Sequence, residues 1–246
     1  MTQLTLTGAG SSNGGGGFIP TDLSGLALWL RSDKGIVLNG SGVSSWTDQS
    51  PNAIVFSQAT AFNQPVWGAT SGKNSLPGLT FVGVHEMTGL GTVLSSLAAY
   101  TMFIVAKHTG DGVLINATGD AIGDQAYIGS RLARFGGGLG VGFGSFTQTI
   151  NNYYLQRTVY DGSLTGNDNR LKSYENGVQK TLNFGPYNVS ASLPAGVSNI
   201  TIGRYEPNTA FDFYGILQDV IIYNRVLTAL EITQVEASLV TRYGTF

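Results

Sequence analysis

Short apolar stretches of strand length, each closed off by Gly, Asn, Asp, Ser or Pro, recur along this chain and point to β-structure. The first is 26–30 (LALWL), and 53–56, 79–82, 100–106, 153–160, 171–174, 200–202 and 213–223 follow. β-Branched and aromatic residues dominate these runs, as a pleated, half-buried surface requires. Between 171–174 and 178–182, Glu175-Asn176-Gly177 is a hairpin signal, because Asn-Gly accepts the positive φ angles of a type I′ turn. Helical text stands out once, at the C-terminal end. There Thr228 and Glu231 have capping-box spacing, Leu230, Val235 and Leu239 form the expected apolar stripe, and Gly244 lies just past the end. One helix of about four turns cannot make a helical domain and must lie against sheets.

Composition narrows the class. Of 246 residues 35 are Gly and only 11% are charged, against about 25% charged in an average soluble chain. The net charge of −2 gives no basic footprint, so nucleic acid is not an expected partner. There is no Cys, which removes disulfides, thiolate metal sites and a Cys nucleophile. No run approaches the ~18 apolar residues of a membrane span, and membrane insertion is not expected. Residues 1–17 (MTQLTLTGAGSSNGGGG) read as a Gly/Ser/Thr-rich arm, and 18–246 as the folded domain. Leu4 and Leu6 alternate with Thr in that arm, which is either a frayed end or a strand added to a partner subunit. The start shows neither a basic n-region nor an apolar h-region, so the expectation is a chain made in the cytosol.

Many antiparallel strands with one late helix predict an all-β fold, a two-sheet sandwich of jelly-roll type with a C-terminal α-helix. The residues also carry a resemblance. LWLRSDKG at 28–35 with VSSWTDQS at 43–50, PGLTFVG at 77–83, YDGS at 160–163, YENG at 174–177, IGR at 202–204, FYG at 213–215 and LQDVIIYNR at 217–225 stand in an order that resembles the concanavalin A-like, laminin-G-like sandwich, over about 20–244. Gln218 departs from that pattern, where relatives often carry an acid. The resemblance extends to sandwich domains of tailed-phage virion proteins and implies a virion structural or decoration protein, assembled in the host cytoplasm and joined to other virion proteins or to itself. The alternative is a bacterial cell-surface glycan-binding module. A glycanase is the third class, since the fold class includes such enzymes.

No catalytic residue is assigned from the sequence, and the expectation is a non-enzyme. Retaining glycanases set two carboxyls about 5–5.5 Å apart, which on one strand means acids at i and i+2. Glu86, Glu175, Glu206, Glu231 and Glu236 each lack an acidic i+2 neighbour, leaving only convergence between strands. G-x-S-x-G at 10–14 lies in the arm and not at a strand-to-helix turn. His108 ends an apolar run and reads as an edge or loop histidine. Trp29 and Trp46 read as core.

For polysaccharide binding the useful chemistry is an exposed aromatic plate beside amides and carboxylates. Tyr205, Asn208, Asp212 and Tyr214 form one such set, and Asn152 with Tyr153 a second. In 135–144, Gly138, Gly140, Gly142 and Gly144 share one strand face and leave it bare, so something approaches closely: the chain itself, a neighbouring subunit or a flat sugar ring. Gly138, Gly140 and Gly142, with Leu4 and Leu6, are the assembly candidates. The laminin-G resemblance implies a single Ca²⁺ held by loop carboxylates, for which Asp111, Asp120 and Asp124, with Asp161 or Asp168, are candidates. The competing reading is that each Asp caps its own turn.

Overall fold

The computed structural model describes residues 17–110, 112–119, 125–129, 132–135, 143–146, 150–186, 188–193, 195–204 and 212–246. In chain order the strands are β1 (Leu26–Arg31), β2 (Ile36–Asn39), β3 (Gly42–Thr47), β4 (Val55–Ser57), β5 (Val66–Gly68), β6 (Gly78–Val82), β7 (Met87–Leu90), β8 (Ala99–His108) and β9 (Val113–Gly119). They continue with β10 (Gln125–Gly129), β11 (Leu132–Phe135), β12 (Phe143–Ser145), β13 (Tyr153–Asp161), β14 (Leu171–Glu175), β15 (Val178–Lys180), β16 (Val197–Ile202) and β17 (Tyr214–Tyr223). Helix α1 (Asn167–Arg170) is one turn and α2 (Ala229–Tyr243) is the long one.

Every ladder between these strands is antiparallel, and they form two layers. The first runs β15–β14–β13–β8–β17, and β17 then pairs with β1 along one half and with β6 along the other. The second runs β2–β3–β4–β7–β16–β9–β10–β11–β12. Strand β5 pairs with both β3 and β6 and joins the layers at one corner. The fold is the all-β sandwich with a C-terminal helix that the strand text predicts.

Period-two alternation explains the core. Tyr100, Met102, Ile104 and Ala106 of β8 point inward and meet Trp46, Phe56, Met87, Ile200 and Ile202 of the second layer. Phe103 and Val105 point outward, where α2 covers them with Val235, Leu239 and Tyr243. A strand buried on both faces reads as a continuous apolar run, which is why 100–106 carries no alternation. Trp29 and Trp46 are buried as expected.

The local signals behave as their chemistry requires. Asn176 and Gly177 adopt φ of 53° and 80°, the type I′ turn. Thr228 Oγ1 accepts from Glu231 N, while Glu231 Oε2 accepts from Thr228 N at 2.8 Å. A bidentate Arg225 holds the Glu231 carboxyl down to about 2, with the Thr228 backbone bond helping. One detail of the helix is corrected. Leu230 is 70% exposed, and Tyr243 replaces it in the buried stripe. The apolar positions are therefore 235, 239 and 243, a strict i, i+4, i+8 row that excludes 230.

Gln218 sits at a bulge, where the β17 register shifts between Leu217 and Asp219. Its Oε1 accepts from Lys73 N at 2.7 Å, and its Nε2 donates to Pro77 O at 3.0 Å. The polar tie therefore exists, and only an amide satisfies both ends. Gln218→Glu is expected to set a carboxylate against the Pro77 carbonyl and cost about 2 kcal/mol, read as a lower denaturation midpoint. An unchanged midpoint would contradict this assignment.

Candidate functional site

On β3, β4, β7 and β16 the residues between the core positions face away from the sandwich. Ser45 pairs with Ser57, Ser57 with Thr88, Thr88 with Thr201, and Thr201 with Asn116 of β9. The result is a row of hydroxyls on the outer side of the second layer, with the Thr88 and Thr201 hydroxyls 3.4 Å apart and the far end of the row, Thr201 and Asn116, buried. Charged groups gather just past the strand ends.

Gln58 follows β4 and organises the next loop. Its Oε1 accepts from Thr60 N at 2.9 Å, and its Nε2 donates to Glu86 Oε1 at 3.1 Å. Gln64, itself buried, donates from Nε2 to Gln58 O at 2.7 Å. The loop 58–64 is thus fastened at both ends, and the one-turn helix Ala61–Asn63 carries Phe62, which is 75% exposed. Glu86 N donates to Asn63 O at 2.9 Å, so the Phe62 backbone is one residue from that of Glu86. On the other side of Glu86 lies Arg204, with Nη1 3.5 Å from Glu86 Oε1 and Nε 4.0 Å from Asp212 Oδ2. Asp212 is buried and is positioned by a parallel bridge to Val113.

Two carboxylates, a guanidinium and an amide therefore lie together at the end of a hydroxyl row, and the exposed Phe62 adjoins them along the backbone through Asn63. Carboxylates accept paired hydroxyl donors, the guanidinium and amide donate, and a ring covers the apolar face of a flat ligand.

The sequence candidates fall in two places. Asp212 belongs to this cluster. Tyr214, 47% exposed, lies on the outer face of the other layer. Tyr153 shares that face, level with Lys107 and Ile216 across β13, β8 and β17. Tyr153 donates its hydroxyl to Ser71 O at 2.8 Å, and Lys107 Nζ lies 5.3 Å from its ring centroid. Asn152 is exposed just before β13. The anticipated grouping of Asp212 with Tyr214 is corrected, because the chain crosses between the layers here: Asp212 bridges Val113 of β9 in the second layer, while Tyr214 pairs with Val82 of β6 in the first. Tyr205, Asn208, Leu4, Leu6, Gly138, Gly140, Gly142, Asp111, Asp120 and Asp124 lie outside the described residues. At Gly144, a side chain would meet Leu182 and Phe184 of the same chain, an intramolecular approach.

Asp161 Oδ1 accepts from Ser163 N and Oγ, so it caps its own turn. Among the described residues no group of three or more His, Asp or Glu could hold a metal ion. The reading of His108 as an edge or loop residue is also corrected. It faces the interior, stacks on Tyr154 and meets Phe213 edge-on. Burial pulls its imidazole down to about 3, so it is neutral at neutral pH.

Two chemistry-bearing residues escaped sequence reasoning. Phe62 stands alone between Ala61 and Asn63, in a polar stretch much like the one around Tyr205, and that isolation was its signal. Asp219 interrupts the apolar run LQDVIIY, the signal of a buried acid. It accepts from the Trp29 indole at 3.0 Å and from the Tyr243 hydroxyl at 2.9 Å, and burial pushes it up to about 7.

No protein-family model matches the chain, and no curated protein matches it. Solved structures do. Domain 4 of AbnA, a GH43 extracellular arabinanase from Geobacillus stearothermophilus in complex with arabinotriose, is 14% identical with a TM-score of 0.54, over 85% of this chain and 96% of that one. Trypanosoma rangeli sialidase in complex with 2,3-difluorosialic acid is 15% identical with a TM-score of 0.54 over 88% of this chain, which spans 33% of the sialidase. The botulinum neurotoxin serotype G binding domain is 13% identical with a TM-score of 0.52, over 89% of this chain and 54% of that one. At such identities the likeness is one of fold. The expectation of a non-enzyme is nevertheless overturned: sialidase and arabinanase chains are among the proteins of this fold. The convergence of acids that the sequence leaves open does occur, since Glu86 just before β7 and Asp212 just before β17 both approach Arg204. The chain is similar to β-sandwich domains found in carbohydrate-active proteins.

Proposed function

We propose that this chain is a glycan-binding sandwich whose site is the outer face of the second layer, with Phe62 as the stacking ring and Gln58, Glu86, Arg204 and Asp212 as the hydrogen-bonding groups. The observation that carries this reading is the pinned loop 58–64, which exposes Phe62 next to Asn63, the residue whose carbonyl accepts from Glu86 N. An exposed large apolar ring set among polar groups is what a sugar face needs. The similar arabinanase domain, solved with arabinotriose, supports it. Of the settings expected from the sequence, a surface glycan-binding module agrees better with these neighbours than a virion decoration protein.

A glycan array followed by titration of each hit tests the proposal. Phe62→Ala is expected to weaken binding at least about tenfold, the loss expected of one stacking contact and its buried area. Glu86→Gln is expected to weaken it similarly, while both variants keep the wild-type melting temperature within about 2 °C. Product analysis on the bound glycans reads any cleavage. A wild-type chain silent across a broad array would end the proposal.

A further inference from the structure

Three Asn-Gly or Asp-Gly pairs fall among the described residues: Asn39-Gly40, Asp161-Gly162 and Asn176-Gly177. In such a pair the side-chain carbonyl carbon and the next backbone nitrogen can join into a five-membered ring, because Gly has no side chain to obstruct the approach. The ring closes readily only where the side chain and the Gly N–H are both unbonded and the turn has room to bend.

Two of the pairs are tied down. Asp161 Oδ1 accepts from Ser163 N and Oγ at 3.1 and 2.6 Å, and Gly162 N donates to Ala98 O at 2.7 Å. The Ala191 carbonyl lies where a Gly162 side chain would stand, so the backbone is packed against its neighbours there. Asn176 Oδ1 accepts from Leu155 N at 2.9 Å, and Asn176 N donates to Leu155 O at 2.8 Å. For Asn176 to react, Leu155 N must lose that acceptor.

Asn39 differs on each count. It is exposed at the end of β2, an edge strand whose one ladder among the described residues is with β3. Asn39 pairs with Gly42, which leaves Gly40 and Ser41 as the turn, and Gly40 has φ of 64°. Among the described residues neither the Asn39 side chain nor the Gly40 N–H has a hydrogen-bond partner. Nothing lies within 4 Å of where a Gly40 side chain would begin.

We propose that Asn39 is a site of spontaneous modification by water, converted to aspartate and isoaspartate while Asn176 and Asp161 persist. The Gly40 nitrogen gives up its proton to solvent base and bonds to Asn39 Cγ. The Cγ–Nδ2 bond breaks, and the leaving nitrogen takes up a proton to depart as ammonia. Water then opens the cyclic imide, at Cγ to give aspartate or at the main-chain carbonyl to give isoaspartate. One water is consumed and one ammonia released, with no oxidation. From Ile36 to Trp46 the sequence carries no charge, so the product sets a carboxylate on that hairpin, the kind of group that blunts an open strand edge.

The experiment incubates the full chain in heavy-oxygen water at neutral and mildly alkaline pH, folded and in guanidinium, and maps the peptides by mass. In the folded chain the Asn39 peptide is expected to gain labelled aspartate and isoaspartate, faster at the higher pH. Its rate should exceed that of the Asn176 peptide at least about tenfold, since Asn176 must first give up a hydrogen bond. In guanidinium the two should convert at similar rates, because both are Asn-Gly and only the fold distinguishes them. Asn39→Gln should remove the acidic species that this peptide contributes on anion exchange, with the melting temperature kept within about 2 °C. Asn176 converting, or Asp161 isomerising, as fast as Asn39 reacts in the folded chain overturns the proposal. So does an Asn39 that persists in the folded chain and converts only in guanidinium.

Discussion

Replacing Asp48 by alanine is expected to remove about 3–5 kcal/mol of stability. Asp48 is almost fully buried, and its two oxygens close the chain between β3 and β4 onto β1. Oδ1 accepts from Trp29 N at 2.6 Å and Ser50 N at 2.8 Å, and Oδ2 from Ser50 Oγ at 2.5 Å and Ile54 N at 3.4 Å. Alanine leaves three buried backbone N–H groups without this acceptor, and an unsatisfied buried donor costs about 1–3 kcal/mol. At roughly 2–4 °C per kcal/mol for a chain near this size, the melting temperature should fall by about 6–20 °C. Asp48→Asn retains one accepting oxygen and should lose about half as much. A loss below about 1 kcal/mol in Asp48→Ala would show that the loop finds other acceptors.

The second large effect concerns pH. Asp219 lies under α2 with its carboxyl raised to about 7 from an ordinary value of 3.8, because burial outweighs the Tyr243 bond, the fields of Arg31 and Arg242 and the Trp29 bond. A raised carboxyl means that the folded chain holds a proton the unfolded chain has lost. The stabilisation is complete below about pH 4 and disappears as pH rises to about 7, beyond which it changes no further. At ~1.36 kcal/mol per pKa unit, that loss is about 4 kcal/mol. Asp219→Asn keeps an oxygen for the Trp29 indole and an amide N–H for the Tyr243 oxygen, and has no charge to bury. Denaturation of this variant should keep the rise up to about pH 6.5 that the buried, neutral His108 contributes, and at pH 8 the variant should exceed the wild type. Glu231, held at about 2, contributes its pH dependence below this window, so the two are separable. A difference between wild type and variant that does not change from pH 5 to 8 would mean that Asp219 is ionised in the folded chain.

The fold was legible because its signals are local. The runs at 26–30, 100–106 and 213–223 become β1, β8 and β17, and Asn176-Gly177 and the Thr228/Glu231 box act at the positions they occupy. Short strands such as β5 and β7 were not legible, since three or four residues of mixed polarity carry no period and form only against a partner ladder. The site was legible in one residue. Asp212 was named, but Glu86 and Arg204 reach it from the chain just before β7 and just after β16, and Gln58 acquires its role by bonding across a loop. Convergence of this kind depends on register, which the order of residues along the chain does not display. Tyr214 was separated from Asp212 because the chain passes between the layers there, from a bridge to Val113 to a ladder with Val82, a crossing that local sequence does not display. Leu230 was assigned inward by counting in threes and fours from the cap, whereas the helix buries the row one turn further on.

The pairing of β17 with β1, β6 and β8 sets an order of events for the folding chain. Three strands made early share one late partner, and β1 meets it across about 190 positions of sequence. Closing loops of that length comes before any reward from the contacts they enable. Until residues 214–223 have left the ribosome, the outward faces of β1 and β8 have neither their central neighbour nor the helix that shields them. The nascent molecule is then an open half-sandwich with sticky edges, and its commitment to the native layers comes at the last stage of synthesis.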